Sequence, residues 1–306
     1  MISEEDLDAL DTDVVASVYE GADNVDTWYT MIAQDVPSNG RDVTYAHIVN
    51  PTAPRRWKRG TPKVKQQIAR GSRRVVNDRF EQTVSIDSDD VDDDNTGLVR
   101  QELTDLGFES GQKFEQVKDG LAADILINNA TGMDKVPLFG THKLNPLDAG
   151  SPSYSNDFTG MPFSPENVAR ARAIIFGQKG PDKLPRKTRA THVLVAPAKE
   201  TQAEQLFGAA QINGTDNPNK GKAKVIVAPE LMSTTANPMG DETWYMLVLS
   251  GRKRPLVHQK RSPLKAIALF DPRDPNVWER NELIWTAKER FAIAGGYPYL
   301  IFRFCP

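Results

Sequence analysis

Two neighbouring segments of this chain carry opposite charge, and that polarity constrains its folding more than any other feature. Residues 1–35 hold ten acids and no base: Glu4, Glu5, Asp6, Asp8, Asp11, Asp13, Glu20, Asp23, Asp26 and Asp35. Residues 51–79 hold ten bases, Arg55, Arg56, Lys58, Arg59, Lys63, Lys65, Arg70, Arg73, Arg74 and Arg79, against Asp78 alone. The net charge of the whole chain is only −3, so the average conceals the polarity and implies no bulk attraction to nucleic acid or to a membrane. A segment rich in one charge and short of apolar residues is poorly ordered by itself. Both limbs therefore read as extended parts that need a surface outside themselves.

The acidic limb has apolar residues at helical spacing, Leu7, Leu10, Val14 and Val18, then Trp28 and Ile32. Short amphipathic helices are expected, ended by Pro37, Asn39 and Gly40. Residues 42–49 read as a strand. Val76, Phe80, Val84 and Ile86 share one parity, so a strand is expected to return through 74–86. Strand, basic tip and returning strand make a projecting hairpin, whose tip has only Trp57, Val64 and Ile68 to offer a core.

An acidic knot from Asp87 to Asp94 follows. Beyond it, Val99, Leu103, Leu106, Phe114, Val117, Leu121 and Ile125 recur at three and four. A helix over 95–129 would be about 50 Å long, with Asp92 to Asp94 at its positive end and with Gly107 and Gly111 expected to bend it. Residues 130–163 are rich in Gly and Pro and read as loop. Ser164-Pro165-Glu166 is a helix start, with Ser164 as N-cap and Pro165 at N1. His192–Ala196 and Val225–Ala228 read as buried strands, separated by a helix through Phe207 and a polar loop over 213–222. Strands are expected at 243–249, 255–258, 264–269, 277–293 and 297–304, with Gly295-Gly296 as a turn. The class is α+β, divided into an acidic N-arm (1–40), a basic hairpin (41–86), a long-helix region (87–163), an α/β region (164–260) and a β-rich return to the long helix (261–306).

Motifs that carry chemistry are missing. Gly214–Lys222 lacks Walker spacing, and no G-x-S-x-G, H-E-x-x-H or C-x-x-C is present. His47, His142, His192 and His258 are scattered and read as ordinary strand or turn residues. An EF-hand counted from Asp87 puts Asp92 where Gly belongs and Leu98 where Glu belongs, so the acidic knot reads as a helix start. No catalytic residue, metal site or cofactor is expected. Cys305 is the sole cysteine, so no internal disulfide can form, which suits assembly in a reducing cytoplasm. No basic-then-apolar leader opens the chain, and no apolar run is long enough to span a bilayer. The basic stretch 51–79 could bind nucleic-acid phosphates as a separate module, but Trp57 alone supplies no stacking platform. The acidic limb offers the other partner. Interlocked between copies, many exposed ion pairs, each contributing about 0–1 kcal/mol, would act as multivalent attachments.

Several passages resemble the major head proteins of Mu-type tailed phages, which have the Hong Kong 97-type capsid fold. Phe80-Glu-Gln-Thr-Val-Ser-Ile-Asp-Ser-Asp-Asp-Val-Asp-Asp-Asp-Asn-Thr-Gly97 is similar to that family's passage from hairpin to long helix. Pro137-Leu-Phe-Gly-Thr-His142 resembles its short segment after the helix. Thr191-His-Val-Leu-Val-Ala-Pro197, followed by Ala203-Glu-Gln-Leu206, resembles a third. The order of elements agrees over roughly 27–229; beyond that the β-rich tail with Gly295-Gly-Tyr297 still fits. The resemblance implies an E-loop formed by the basic hairpin, with inter-subunit contacts through Arg55, Arg56, Trp57, Lys58, Arg59, Lys63, Lys65, Arg70, Arg73 and Arg74. It implies an N-arm reaching other subunits through Glu4, Glu5, Asp6, Asp8, Asp11 and Asp13. The long helix would be the spine of a peripheral domain, and the α/β region an axial domain whose loops, including 213–222, meet at capsomer centres. It further implies pentamers and hexamers of an icosahedral shell around non-specifically packaged double-stranded DNA, with scaffold, portal, protease and decoration proteins as partners. The family's removal of an N-terminal assembly domain is not carried over, because no long leader follows Met1.

Overall fold

The computed structural model describes residues 4–48, 56–63, 70–94, 96–145, 148, 150–182, 184–212, 214–271 and 273–306, except the side chains of Glu4, Glu5, His47, Ile48 and Arg70. In chain order these form α1 (Glu4–Asp23), α2 (Tyr29–Ile32), β1 (Ala33–Pro37), β2 (Asp42–Ile48), β3 (Arg70–Val76), β4 (Asp78–Asp87), α3 (Ser88–Asp92) and α4 (Leu98–Ile127). A loop-rich connection carries β5 (Thr141–Lys143), β6 (Ser153–Ser155) and β7 (Asp157–Phe158). Then come α5 (Pro165–Gly177), β8 (His192–Val195), α6 (Glu200–Gly208), β9 (Gln211–Ile212), β10 (Thr215–Asp216), β11 (Lys224–Val227) and β12 (Trp244–Leu247). The chain closes with β13 (Leu256–Leu269), α7 (Pro275–Arg280), β14 (Glu282–Gly295) and β15 (Ile301–Phe304).

Two sheets organise the molecule. One has the order β1-β13-β14-β4, and the other β11-β8-β12-β15-β7. The α4 spine joins them. Its first half, through Leu103 and Phe114, shares a core with α1 and the inner face of the four-stranded sheet, where Trp285 and Phe270 are fully enclosed. Its second half, through Ala122, Ala123, Ile125 and Leu126, packs with Leu194, Tyr245, Leu247 and Ile301 of the five-stranded sheet. The opposite face of that sheet is covered by α5 and α6 around Trp244, Phe302 and Phe304. Ser164 Oγ accepts the Asn167 N–H at 3.2 Å, with Pro165 at the first helical position, as the sequence predicts.

Some expected boundaries are corrected. The single strand over 74–86 is two strands with different partners: β3 pairs with β2, and β4 pairs with β14. The break falls at Asn77, whose buried amide is occupied by side-chain and carbonyl acceptors. Val75 rather than Val76 therefore faces inward, and Val76 is exposed. The strands expected at 255–258 and 264–269 are one, β13, with register shifts between Lys260 and Lys265 where Pro263 cannot donate to the ladder. Residues 275–280 are helix, ended by Asn281 in the left-handed region, φ 57°. The tail does not return as one piece: β14 lies beside the spine, whereas β15 crosses into the five-stranded sheet beside β12.

Candidate inter-subunit surface

The basic hairpin is fixed at its root and uncovered at its far end. At the root, Tyr45 of β2 donates its hydroxyl to Gln259 Oε1 at 2.8 Å, and Gln259 Nε2 donates to Asn77 Oδ1 at 2.7 Å. Asn77 Nδ2 passes the chain on to Ser38 Oγ at 2.9 Å and to the Gly40 carbonyl at 3.0 Å. Gln259 is wholly buried, so losing a link would orphan a polar group away from water. Arg73 Nη1 donates to the Gly295 carbonyl at 2.5 Å. Burial lowers the Arg73 pKa, with Asp134 opposing the shift. Val75 and Tyr45 complete the root by packing on Ala292 and Ala294.

Also at the root, Arg74 forks onto Asp42 of the facing strand at 2.8 and 2.9 Å, a pair within the hairpin itself. Further out, the arrangement changes. Arg56, Trp57, Lys58, Arg59 and Lys63 are all exposed. Trp57 leaves 62% of its surface in solvent, donates Nε1 to the Thr61 carbonyl at 2.8 Å and carries the Lys63 ammonium 5.4 Å from its ring centroid. Among the described residues, every hydrogen bond of this tip is local. Arg55 and Lys65, and the side chain of Arg70, lie outside the described residues. Of the predicted contact set, five side chains thus stand free of the body, while Arg73 and Arg74 are engaged within their own chain.

The acidic limb is not extended. It is a 20-residue helix that docks on its own spine. Leu10, Val14 and Val18 are buried against α4 and β13, and the Ala266 N–H donates to the Tyr19 hydroxyl at 3.2 Å. The close approach needs glycine on both helices. A Cβ on Gly111 would overlap the Val18 carbonyl, one on Gly107 the Ser17 hydroxyl, and one on Gly21 the Phe108 carbonyl. Gly107 and Gly111, expected as bends, are the floor on which α1 lies. Asp6, Asp8 and Asp13 are exposed on its outer side. Asp11 is half-buried, and its pKa is raised by desolvation and by Asp8 and Asp274. Glu4 and Glu5 open the helix.

After α1 the chain is tied to the spine by a buried polar cluster with no local sequence signal. Asp119 Oδ1 accepts the Tyr29 N–H at 2.8 Å, Tyr29 donates its hydroxyl to Glu115 Oε2 at 2.8 Å, and Trp28 Nε1 donates to Glu230 Oε2 at 2.8 Å. Lys118, only 3% exposed, sits between Glu115 and Glu289, 3.1 Å from the latter. Desolvation, reinforced by Glu230 and Glu115 against the backbone donors, pushes the Asp119 pKa up to about 7.

The residues considered for chemistry have structural settings. His142 is buried, 2.6 Å from Asp134 and stacked on Tyr154, behind the core residues Leu138 and Phe139. His258 is buried beside Asp35 at 2.9 Å, and desolvation lowers its pKa. In the acidic knot, Asp87 accepts the Asp89 N–H at 3.0 Å, while Asp94 accepts the Val99 and Arg100 N–H groups at 2.9 and 3.3 Å and so caps the spine. Among the described residues no three metal-ligating side chains converge, and no helix is long and apolar enough to cross a membrane.

Comparisons with known proteins bear on the family and the fold. The model of the Mu-like prophage major head subunit gpT family matches residues 7–161, 159–231 and 230–304. The major capsid protein of Escherichia phage Mu is 27% identical over 206 residues, 62% of this chain and 63% of that protein, so the match spans less than two thirds of its length. Among solved structures, the bacteriophage JBD30 procapsid covers the whole chain and 76% of its own with a TM-score of 0.55 at 17% identity. The capsid of cyanophage P-SCSP1u covers 92% of this chain and 88% of its own with a TM-score of 0.58 at 10% identity. The fold is thus α+β and Hong Kong 97-like. None of these relatives supports a separate nucleic-acid-binding module in 51–79.

Proposed function

The chain belongs to the family of Mu-like prophage major head subunits, and from that premise we propose that it is the major capsid protein of a tailed phage, self-assembling into the icosahedral shell that encloses a double-stranded DNA genome. The observation that carries this reading is the hairpin, anchored by a buried hydrogen-bond chain at its root and bare at its tip. A projecting tip of like charges around an exposed tryptophan, with no contact to its own body among the described residues, is suited to meet a complementary surface on another copy. The E-loop tip, Arg56 to Lys63 with its neighbours Arg55, Lys65 and Arg70, lies across an adjoining copy. The outward acids of α1, Asp6, Asp8 and Asp13, give a neighbour's cations a complementary face. Complementary charge of this kind sets register and rate more than affinity.

In the shell the chain forms pentamers and hexamers, with the α/β unit as axial domain and the spine with the four-stranded sheet as peripheral domain. Its role is structural rather than catalytic. Assembly in the host cytoplasm draws on scaffold, portal and decoration proteins, and packaged DNA meets the inner surface without sequence preference. Electron microscopy and sedimentation of the expressed protein test the proposal. Closed shells or capsomers are expected. A small species that binds duplex DNA, with affinity falling steeply as salt rises, would contradict it.

A further inference from the structure

At the amino-terminal edge of the parallel pair β8 and β11, four cations surround one recess. Arg172 comes from α5, Arg189 from the segment entering β8, Lys222 from the turn before β11, and Lys224 from the first position of β11. His192 pairs in register with Lys224 and completes the wall. The recess is an open cleft of about 440 Å³, and no carboxylate lines it. Among the described residues none of the four cations has an acidic side chain within ion-pairing distance.

Like charges gathered this closely work against one another. Desolvation and then Arg189 lower the pKa of Arg172, and desolvation, Lys224 and Arg254 lower that of His192. The backbone that carries Lys222 is nevertheless fixed. Asn217, itself buried, donates to the Leu206 and Ala209 carbonyls at 2.8 and 2.9 Å and accepts the Asn219 N–H at 2.9 Å, which fixes the turn leading to Lys222. Cations without acidic partners around a concavity of small-ligand size suit a compact anion, and Arg189, Lys222 and Lys224 are exposed at its rim. A duplex instead needs a basic stripe that follows its backbone.

We propose that this cleft binds a compact polyanion bearing two or three adjacent phosphate groups, such as a polyphosphate or a nucleoside triphosphate. The anion bridges α5 to the β8–β11 edge and relieves the mutual repulsion of the four cations. Binding belongs to the single chain and does not depend on the shell reading.

Calorimetric titration of the full-length protein with inorganic tripolyphosphate tests it. One site per chain is expected. Lys222→Glu/Lys224→Glu, a reversal of two exposed side chains, should weaken binding about tenfold or more, and the milder Lys222→Gln/Lys224→Gln should act in the same direction if the first variant folds poorly. Lys58→Glu/Arg59→Glu in the hairpin should leave tripolyphosphate binding unchanged. No binding, or binding lost through the hairpin variant instead, would overturn the assignment. So would capture of the cleft by a short duplex DNA or by a peptide of residues 4–23 where tripolyphosphate fails, because the cleft would then be a nucleic-acid or a subunit contact.

Discussion

The acidic and basic limbs look alike as sequence and behave differently as structure. Each concentrates one charge, but apolar residues are plentiful in the acidic limb and scarce in the basic one. Helix α1 lies down on its own spine, while the hairpin leaves its tip in solvent. The difference is in what meets the apolar residues that each limb has. Leu10, Val14 and Val18 recur at helical spacing, and α4 answers with Gly107 and Gly111, which admit the backbone of α1. Trp57 has no such counterpart among the described residues and is exposed. Charge density alone therefore does not tell a docked limb from an uncovered one; a matching apolar surface in the same chain does.

The contrast can be broken most strongly at the helix contact. Gly111→Leu drives a side chain into the Val18 carbonyl and should destabilise the protein by about 3 kcal/mol, with amide exchange rising across residues 4–23. Should urea unfolding and exchange stay at wild type, α1 is not docked as described. Leu10→Ala removes a buried side chain from the same contact and should cost about 2 kcal/mol in denaturant unfolding.

A smaller effect is expected in pH dependence where α1 hands over to the body. The folded protein holds the Asp119 proton up to about 7, whereas an unfolded aspartic acid releases it near 4, a value of about 3.9. The contribution is therefore complete below about pH 4 and is lost as pH rises through about 7. Asp119→Asn should flatten that part of the pH–stability curve relative to wild type. An unchanged slope would mean that Asp119 titrates normally. The smallest effect belongs to the tip: Lys58→Ala should leave the unfolding midpoint of the soluble chain unaltered, since that side chain touches nothing in the body among the described residues.

Local signals carried much of this architecture into the sequence. Ser164-Pro165, the spacing from Val99 to Ile125 and the run His192–Ala196 each state an element through its own residues. The resemblance around Phe80–Gly97 and Pro137–His142 supplied the fold family. What escaped was set by distant partners. Gln259 and Asn77 are hydrogen-bonded across 182 residues, and that contact is why 74–86 divides into two strands. Gly107 and Gly111 read as bends because the helix that needs them lies about ninety residues earlier. The cationic cleft joins α5 to β11 across a sheet edge, so no stretch of sequence shows Arg172 beside Lys222.

The account stands on the hairpin tip reaching another copy of the chain. The most direct measurement compares wild type with Arg56→Glu/Lys58→Glu/Arg59→Glu by electron microscopy of particles and by thermal unfolding of the soluble chain. Loss of particles with an unchanged melting temperature is the predicted result. Normal shells from the reversed tip would contradict it.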